Sequence, residues 1–149
     1  MEELLKKPQG VFVFIDDDQD EHHLFSMAME SLELDNKVQS CYNGVEAFKY
    51  LRETDDNIFA ILADINMPKM DGLELRRMVD MTPELKVKAI PFFFHTNSST
   101  AAEVRAAYAM GIQGYLKKAD SLEGTATSLK NIINLWTNVV HPKDLEASV

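Results

Sequence analysis

The chain has 149 residues, of which 46% are apolar and 26% charged, and its formal net charge is −9 at pH 7. The acidic balance argues against a nucleic-acid partner, because such surfaces need clustered basic residues, and no apolar run approaches the roughly 20 residues of a membrane span. A single cysteine excludes an intrachain disulfide and, with no apolar signal-peptide core at the start of the chain, favours a cytoplasmic location without membrane contact.

Short apolar runs along the chain predict five strands. In chain order they are VFVFI (Val11–Ile15), KVQSCY (Lys37–Tyr42), IFAILA (Ile58–Ala63), AIPFFF (Ala89–Phe94) and GYLK (Gly114–Lys117). The first, third and fourth runs are continuously apolar, which is typical of strands covered on both faces in a parallel sheet. The second run alternates more and indicates a strand nearer an edge.

Apolar residues at helical spacing follow each strand and predict five helices. The first four helices are marked by Leu24 to Leu32, by Val45 to Leu51, by Leu73 to Val79 and by Ala101 to Met110, and the fifth by Leu122 to Trp136. Asn43 is the expected cap of the second helix, and Ser99-Thr100 opens the fourth.

The alternation of strand and helix predicts a doubly wound α/β fold. We expect a flavodoxin-like five-stranded parallel sheet in the order 2-1-3-4-5, with five helices on its two faces. Residues 1–149 should form one domain, with a core at about 10–137 and a short C-terminal tail.

Acidic residues end the first and third strands of this predicted sheet. Asp16, Asp17 and Asp18 follow the first strand, and Asp64 follows the third. These strands are neighbours where the strand order reverses, which is where open parallel sheets bind ligands beyond their carboxyl ends. The fourth strand ends near Thr96 and the fifth near Lys118, so a hydroxyl and an ammonium should face the same acidic cluster.

Carboxylates gathered in this way need a cation, because like charges a few ångströms apart repel one another. Oxygen-only ligands favour the hard ion Mg2+ over zinc. A carboxylate beside such a metal can attack phosphorus and form an aspartyl phosphate, while a lysine and a hydroxyl neutralise the phosphoryl oxygens. The pattern therefore fits an aspartate that accepts a phosphoryl group.

Four motifs in order, FIDDD, LADINMPKMDG, FFFHTNS and GYLKKAD, extend this pattern over about residues 11–136. Together they resemble the receiver domain of two-component response regulators, in particular its stand-alone, chemotaxis-type members. The resemblance implies a role for each matching position. Asp64 would be the phosphoacceptor, Asp16 and Asp17 the acidic pair with Asp17 the preferred direct Mg2+ ligand, Asn66 the residue whose backbone carbonyl binds Mg2+, Thr96 the switch hydroxyl, Lys118 the phosphoryl-stabilising lysine, and Tyr115 the aromatic switch residue.

The resemblance also implies a function. The chain would accept a phosphoryl group from a sensor histidine kinase, or exchange it with a histidine phosphotransfer protein. It would then signal through phosphorylation-dependent contact with an unknown downstream protein or with a second copy in a homodimer. Such a protein is a phosphoacceptor rather than an ordinary enzyme, although it can catalyse its own phosphotransfer and dephosphorylation.

Ala119 departs from the family pattern, which usually has a proline in a cis peptide bond after the lysine. A cis bond before a non-proline residue costs about 2.5–4 kcal/mol, so this bond can be trans and Lys118 can be aimed differently. The departure leaves open whether Lys117 competes for the role of Lys118. It is also the one sequence feature that favours a pseudo-receiver, a module that binds partners without phosphorylation.

An aspartyl-phosphate phosphohydrolase of the haloacid dehalogenase type is a third alternative. That class needs D-x-D-x-T/V after its first strand, and Asp20 stands here where Thr or Val is required. The adjacent His22 and His23 are typical metal ligands, but neighbouring residues on a helix point in different directions. We expect both imidazoles to be exposed to solvent.

Overall fold

A five-stranded parallel sheet in the order β2-β1-β3-β4-β5 forms the centre of the computed structural model, which describes residues 7–97 and 100–139. Its strands are β1 (Val11–Ile15), β2 (Val38–Cys41), β3 (Ile58–Ala63), β4 (Phe92–Thr96) and β5 (Gly114–Lys117). The predicted fold class and strand order are confirmed, and β2 lies at an edge as expected. The predicted C-terminal tail beyond residue 139, and Ser99, lie outside the described residues.

Six helices accompany the sheet in the described part of the chain, one more than predicted. They are α1 (Gln19–Ser31), α2 (Gly44–Glu53), α3 (Gly72–Asp80), α4 (Pro83–Lys86), α5 (Ala101–Ala109) and α6 (Leu122–Thr137). The extra element, α4, has four residues and begins at Pro83, whose fixed φ suits the first position of a helix. A helix this short contains no full apolar period, so the pattern could not reveal it.

The fourth strand begins later than predicted. It runs from Phe92 to Thr96, whereas the apolar run had suggested a start at Ala89. Ala89 has a φ of 50°, outside the strand region, and Pro91 has no N–H to offer a neighbouring strand. The strand ends at Thr96, which therefore lies at its carboxyl end.

Apolar side chains cover both faces of the sheet, which explains the continuous apolar runs. On one face Phe92 and Phe94 belong to a buried cluster with Leu75 of α3. On the other face Phe14 belongs to a second cluster with Phe25 of α1, and their rings stack with centroids 4.3 Å apart. No helix within residues 7–97 or 100–139 has the length and apolarity needed to cross a membrane.

Five of the helices begin with a capping side chain, which fixes where each one starts. Asn43 accepts a hydrogen bond from the N–H of Glu46 at 2.9 Å, as predicted. The other caps are Asp18, Asp71, Thr100 and Ser121. The cap at Asp71 starts α3 directly after the loop that follows Asp64.

Gly72 holds this loop close to the sheet. Its N–H donates to the carbonyl of Ile65 at 2.8 Å, and a β-carbon at this position would collide with the backbone carbonyl of Asp64.

Replacing Gly72 by alanine should therefore lower the free energy of unfolding by about 1–3 kcal/mol, the usual cost of overpacking. Chemical denaturation measures this. Glu74→Ala, an exposed change on the same turn, is the matched control and should stay within about 0.5 kcal/mol of the unchanged protein. Equal losses in the two variants would contradict this packing account.

Candidate functional site

The strand ends bring Asp16 and Asp64 to one edge of the sheet. The N–H of Asp64 donates to the carbonyl of Ile15 at 2.9 Å, and the N–H of Asp16 donates to the carbonyl of Cys41 at 3.0 Å. Both aspartates are buried, with 1% and 6% of their surface exposed. The parallel ladder therefore fixes the backbone of two carboxylates that solvent barely reaches.

Asp17 completes a group of three carboxylates with Asp16 and Asp64. One oxygen from each lies within 4.8 Å of the other two, and Asp17 is exposed to solvent. Three carboxylate oxygens are donors that suit a hard divalent cation. The residues present therefore fit the Mg2+ that the sequence predicts, and the exposed Asp17 gives such an ion a route from solvent.

Lys118 lies between the two buried carboxylates. Its Nζ is 2.8 Å from Oδ2 of Asp16 and 3.1 Å from Oδ2 of Asp64, and only 7% of its side chain is exposed. The backbone N–H of Lys118 donates to the backbone carbonyl of Thr96 at 3.0 Å. A single ammonium group therefore bridges the ends of the two central strands.

The question raised by Ala119 has a clear answer in the structure. No peptide bond is cis within the described ranges, so the bond between Lys118 and Ala119 is trans. Lys118 nevertheless reaches both carboxylates, while Lys117 is exposed. The departure from the family pattern does not turn Lys118 away from the site.

Burial and the charge of the partner shift the pKa values of Asp16 and Lys118 in opposite directions. Burial raises the pKa of Asp16, and the hydrogen bond from Lys118 opposes that rise without cancelling it. Burial alone would lower the pKa of Lys118, but the hydrogen bond to Asp16 and the charges of Asp16 and Asp64 outweigh it and raise the pKa. The lysine therefore stays an ammonium at neutral pH and can act as a fixed positive charge.

The loop after β3 is tied down on both sides. Oδ1 of Asp64 accepts a hydrogen bond from the N–H of Ile65 at 2.8 Å, and the carbonyl of Met70 accepts from the N–H of Gly44 at 3.1 Å. Asn66 and Pro68 lie exposed in this loop. The side chain of Asp64 is therefore oriented by its own following peptide as well as by Lys118.

Thr96 and Tyr115 lie on the neighbouring strands β4 and β5. Thr96 ends β4 with 1% of its surface exposed. Tyr115 is half-buried, and its ring meets that of Phe94 edge-on with centroids 6.3 Å apart. Burial, with the charges of Glu103 and Asp64, raises the pKa of Tyr115. The structure thus places Thr96 at the carboxyl edge of the sheet and packs the predicted aromatic residue partly inward.

The expectation that His22 is exposed is wrong. Its Nε2 lies 2.7 Å from the backbone carbonyl of Asp16, and its ring packs against Tyr42 with centroids 4.2 Å apart. The reason is its place on α1, three residues before the buried Phe25 and therefore on the same face of the helix. That spacing was present in the sequence. His23 is exposed, as expected.

Known proteins are similar to this chain over most of its length. The family model described as "Response regulator receiver domain" matches residues 12–130. Response regulator Rcp1 of Synechocystis is 25% identical over 138 residues, which cover 89% of this chain and 92% of that protein. Among solved structures, the phosphorylated cyanobacterial phytochrome response regulator RcpA superposes with a TM-score of 0.79 at 24% identity, covering 90% of this chain and 99% of that one. The Mn2+-bound form of Rcp1 has a TM-score of 0.76 at 24% identity, with the same coverage.

The three-carboxylate group predicts a measurable response to Mg2+. At a Mg2+ concentration about 100 times the dissociation constant, binding should stabilise the fold by about 2.7 kcal/mol and raise the melting temperature by roughly 5–10 °C. Asp17→Asn should remove most of this rise in a thermal melt. Asp18→Asn makes the same charge change one residue later, and asparagine keeps the cap of α1, so this control should respond like the unchanged protein. Equal shifts in both variants would contradict the assignment of the ligands.

Proposed function

The chain belongs to the response-regulator receiver family, and from this premise we propose that it is a signalling switch that accepts a phosphoryl group on Asp64. The donor is the phosphohistidine of a sensor histidine kinase or of a histidine phosphotransfer protein. One observation carries the proposal: Lys118 Nζ bridges Asp16 and Asp64 at the carboxyl edge of the sheet, 2.8 and 3.1 Å from their oxygens. That arrangement holds a nucleophile and a fixed positive charge side by side.

The transfer is a displacement at phosphorus. An ionised oxygen of Asp64 forms the new P–O bond as the P–N bond of the donor breaks, and the electron pair of that bond leaves with the histidine ring. Asp16, Asp17, Asp64 and the backbone carbonyl of Asn66 would hold Mg2+, which when bound neutralises charge on the phosphoryl oxygens. Lys118 supplies a second positive charge beside Asp64, already held in place before the reaction.

Thr96 and Tyr115 are the residues that we propose as the switch. Thr96 is buried at the end of β4, whose carboxyl end lies on the same edge of the sheet as Asp64. Movement of Thr96 toward the phosphoryl group would leave room for the half-buried Tyr115 to turn further inward. Phosphorylation then shifts an existing equilibrium toward a state with a changed α5–β5–α6 surface.

Output in this proposal is contact between proteins. The chain works as one receiver unit, and its changed surface binds a downstream protein or a second copy of the chain. A phosphorylation-independent binding module was favoured only by Ala119, and the contacts of Lys118 with both carboxylates weigh against it. The solved relatives named above, one phosphorylated and one with Mn2+ bound, are in keeping with a phosphoacceptor that uses a divalent cation.

Phosphorylation of Asp64 can be tested by intact mass after incubation with acetyl phosphate and Mg2+. One added phosphoryl group is expected in the unchanged protein and none in Asp64→Asn. Asp71→Asn is the matched control, since Asp71 caps α3 through the N–H of Glu74 and asparagine can keep that cap. An adduct that persists in Asp64→Asn, or no adduct in any protein across a Mg2+ titration, would overturn the proposal.

The two adjacent lysines allow a sharper test of the role of Lys118. Lys118→Ala should slow phosphorylation by about 100-fold, the loss typical when one preorganised charge-stabilising donor is removed. Lys117→Ala removes the same charge from an exposed position and should change the rate less than about twofold. The rate of adduct formation at saturating Mg2+ is the quantity to compare. Equal effects in the two variants would show that general electrostatics, not the placed ammonium, accelerates the transfer.

A further inference from the structure

His95 is a buried histidine that the proposed phosphotransfer does not use. It lies on β4 beside Thr96, and strand alternation turns it to the opposite face, where its ring centroid is 5.9 Å from that of Phe14. Only 5% of its surface is exposed. Its Nδ1 has no hydrogen-bond partner within the described part of the chain. Leaving a buried polar atom unpaired is costly, so this nitrogen calls for an explanation.

Two carboxylates lie close to the imidazole. One ring nitrogen of His95, one carboxylate oxygen of Glu21 and one of Asp16 all lie within 4.8 Å of one another. Glu21 comes from α1, Asp16 from the end of β1 and His95 from β4, so three separate elements bring these donors together. The cluster shares only Asp16 with the group formed by Asp16, Asp17 and Asp64.

We propose that Asp16, Glu21 and His95 form a second divalent-cation site, one that takes a transition metal of the Zn2+ type rather than Mg2+. An imidazole and two carboxylates are ligands of Zn2+ and its neighbours, and affinity for such sites rises from Mn2+ to Cu2+ and falls back at Zn2+. Mg2+ prefers oxygen ligands alone, so the two groups select different metals. The inference concerns metal binding and does not depend on phosphorylation of Asp64.

The charge state of the imidazole suits a metal ligand. Burial, reinforced by the positive charge of Lys118, lowers the pKa of His95 to about 4. The imidazole is therefore neutral at pH 7, which is the form that binds metals. Burial raises the pKa of Glu21, as do the charges of Asp16, Asp18 and Asp64, while the charge of Lys118 opposes that rise, so a bound metal would compete with a proton for this carboxylate.

Lys118 is the competitor for this site. Its Nζ already contacts Oδ2 of Asp16, so a metal at the cluster would have to share or take that carboxylate. The ammonium would still keep its contact with Asp64. Because Asp16 belongs to both groups of ligands, a transition metal bound here should weaken binding of Mg2+ at the carboxylate group.

The test is a Zn2+ titration of the untagged full chain followed by NMR of the histidine rings. The chain has four histidines, so the ring signals can be assigned by substitution. Zn2+ should shift the ring nitrogens of His95, and Glu21→Gln should weaken Zn2+ binding at least about tenfold, a loss seen even for indirect contacts to a metal. His95→Leu should weaken Zn2+ binding similarly while leaving Mg2+ affinity within about twofold. Far-ultraviolet circular dichroism establishes that both variants are folded, and Glu21→Gln alters a partly exposed side chain of a helix.

Two control variants separate this site from other modes of binding. Glu30→Gln, an exposed change on the same helix, and His23→Asn, an exposed neighbouring histidine, should both bind Zn2+ like the unchanged protein. Asp17→Asn should lose Mg2+ affinity and keep the Zn2+-induced shift of His95. The proposal is overturned if Zn2+ leaves the His95 signals unmoved, or if Asp17→Asn rather than Glu21→Gln abolishes Zn2+ binding.

Discussion

The repulsion between carboxylates at one edge of a parallel sheet is the constraint on which the rest of this structure depends. Asp16 and Asp64 end adjacent central strands and are both buried, so their charges cannot be screened by solvent. The ammonium of Lys118, 2.8 Å from Asp16 and 3.1 Å from Asp64, offsets that repulsion within the protein. In the proposed function, a divalent cation held in part by the exposed Asp17 would offset that repulsion from the solvent side. The repulsion that destabilises this edge also favours binding of a cation such as Mg2+ and reactions that require nearby positive charge.

Backbone hydrogen bonds of the fold position these groups. Hydrogen bonds of the ladder fix the peptides of Asp16 and Asp64, and the N–H of Lys118 is bonded to the carbonyl of Thr96. The loop after Asp64 is held against the sheet by Gly72, where any side chain would strike the Asp64 carbonyl. The site can therefore stay ordered although three of its members carry like charges. Tyr115, by contrast, is only half-buried.

Much of this could be predicted from the sequence, because continuous apolar runs mark buried parallel strands and the residues just after them mark the functional edge. What escaped prediction was short or depended on tertiary contacts. The helix at Pro83–Lys86 has too few residues to show a period. His22 was expected in solvent although its spacing from Phe25 places it on the buried face of α1. The pairing of Glu21 with His95 joins residues far apart in the chain, and only the packing of α1 against the sheet reveals it. The sequence also did not show that Lys118 contacts Asp64 when the Lys118–Ala119 peptide bond is trans.

In the proposed switch, Asp64 accepts a phosphoryl group beside a bound cation and Lys118. The most direct test is a crystal structure of the chain grown with Mg2+ and beryllofluoride, a stable mimic of the phosphoryl group on a carboxylate. We expect beryllofluoride on Asp64, Mg2+ beside Asp16 and Asp17, and the Nζ of Lys118 in contact with a fluorine. A structure with Asp64 unmodified, no metal beside Asp17 and Lys118 still bridging Asp16 and Asp64 would contradict it.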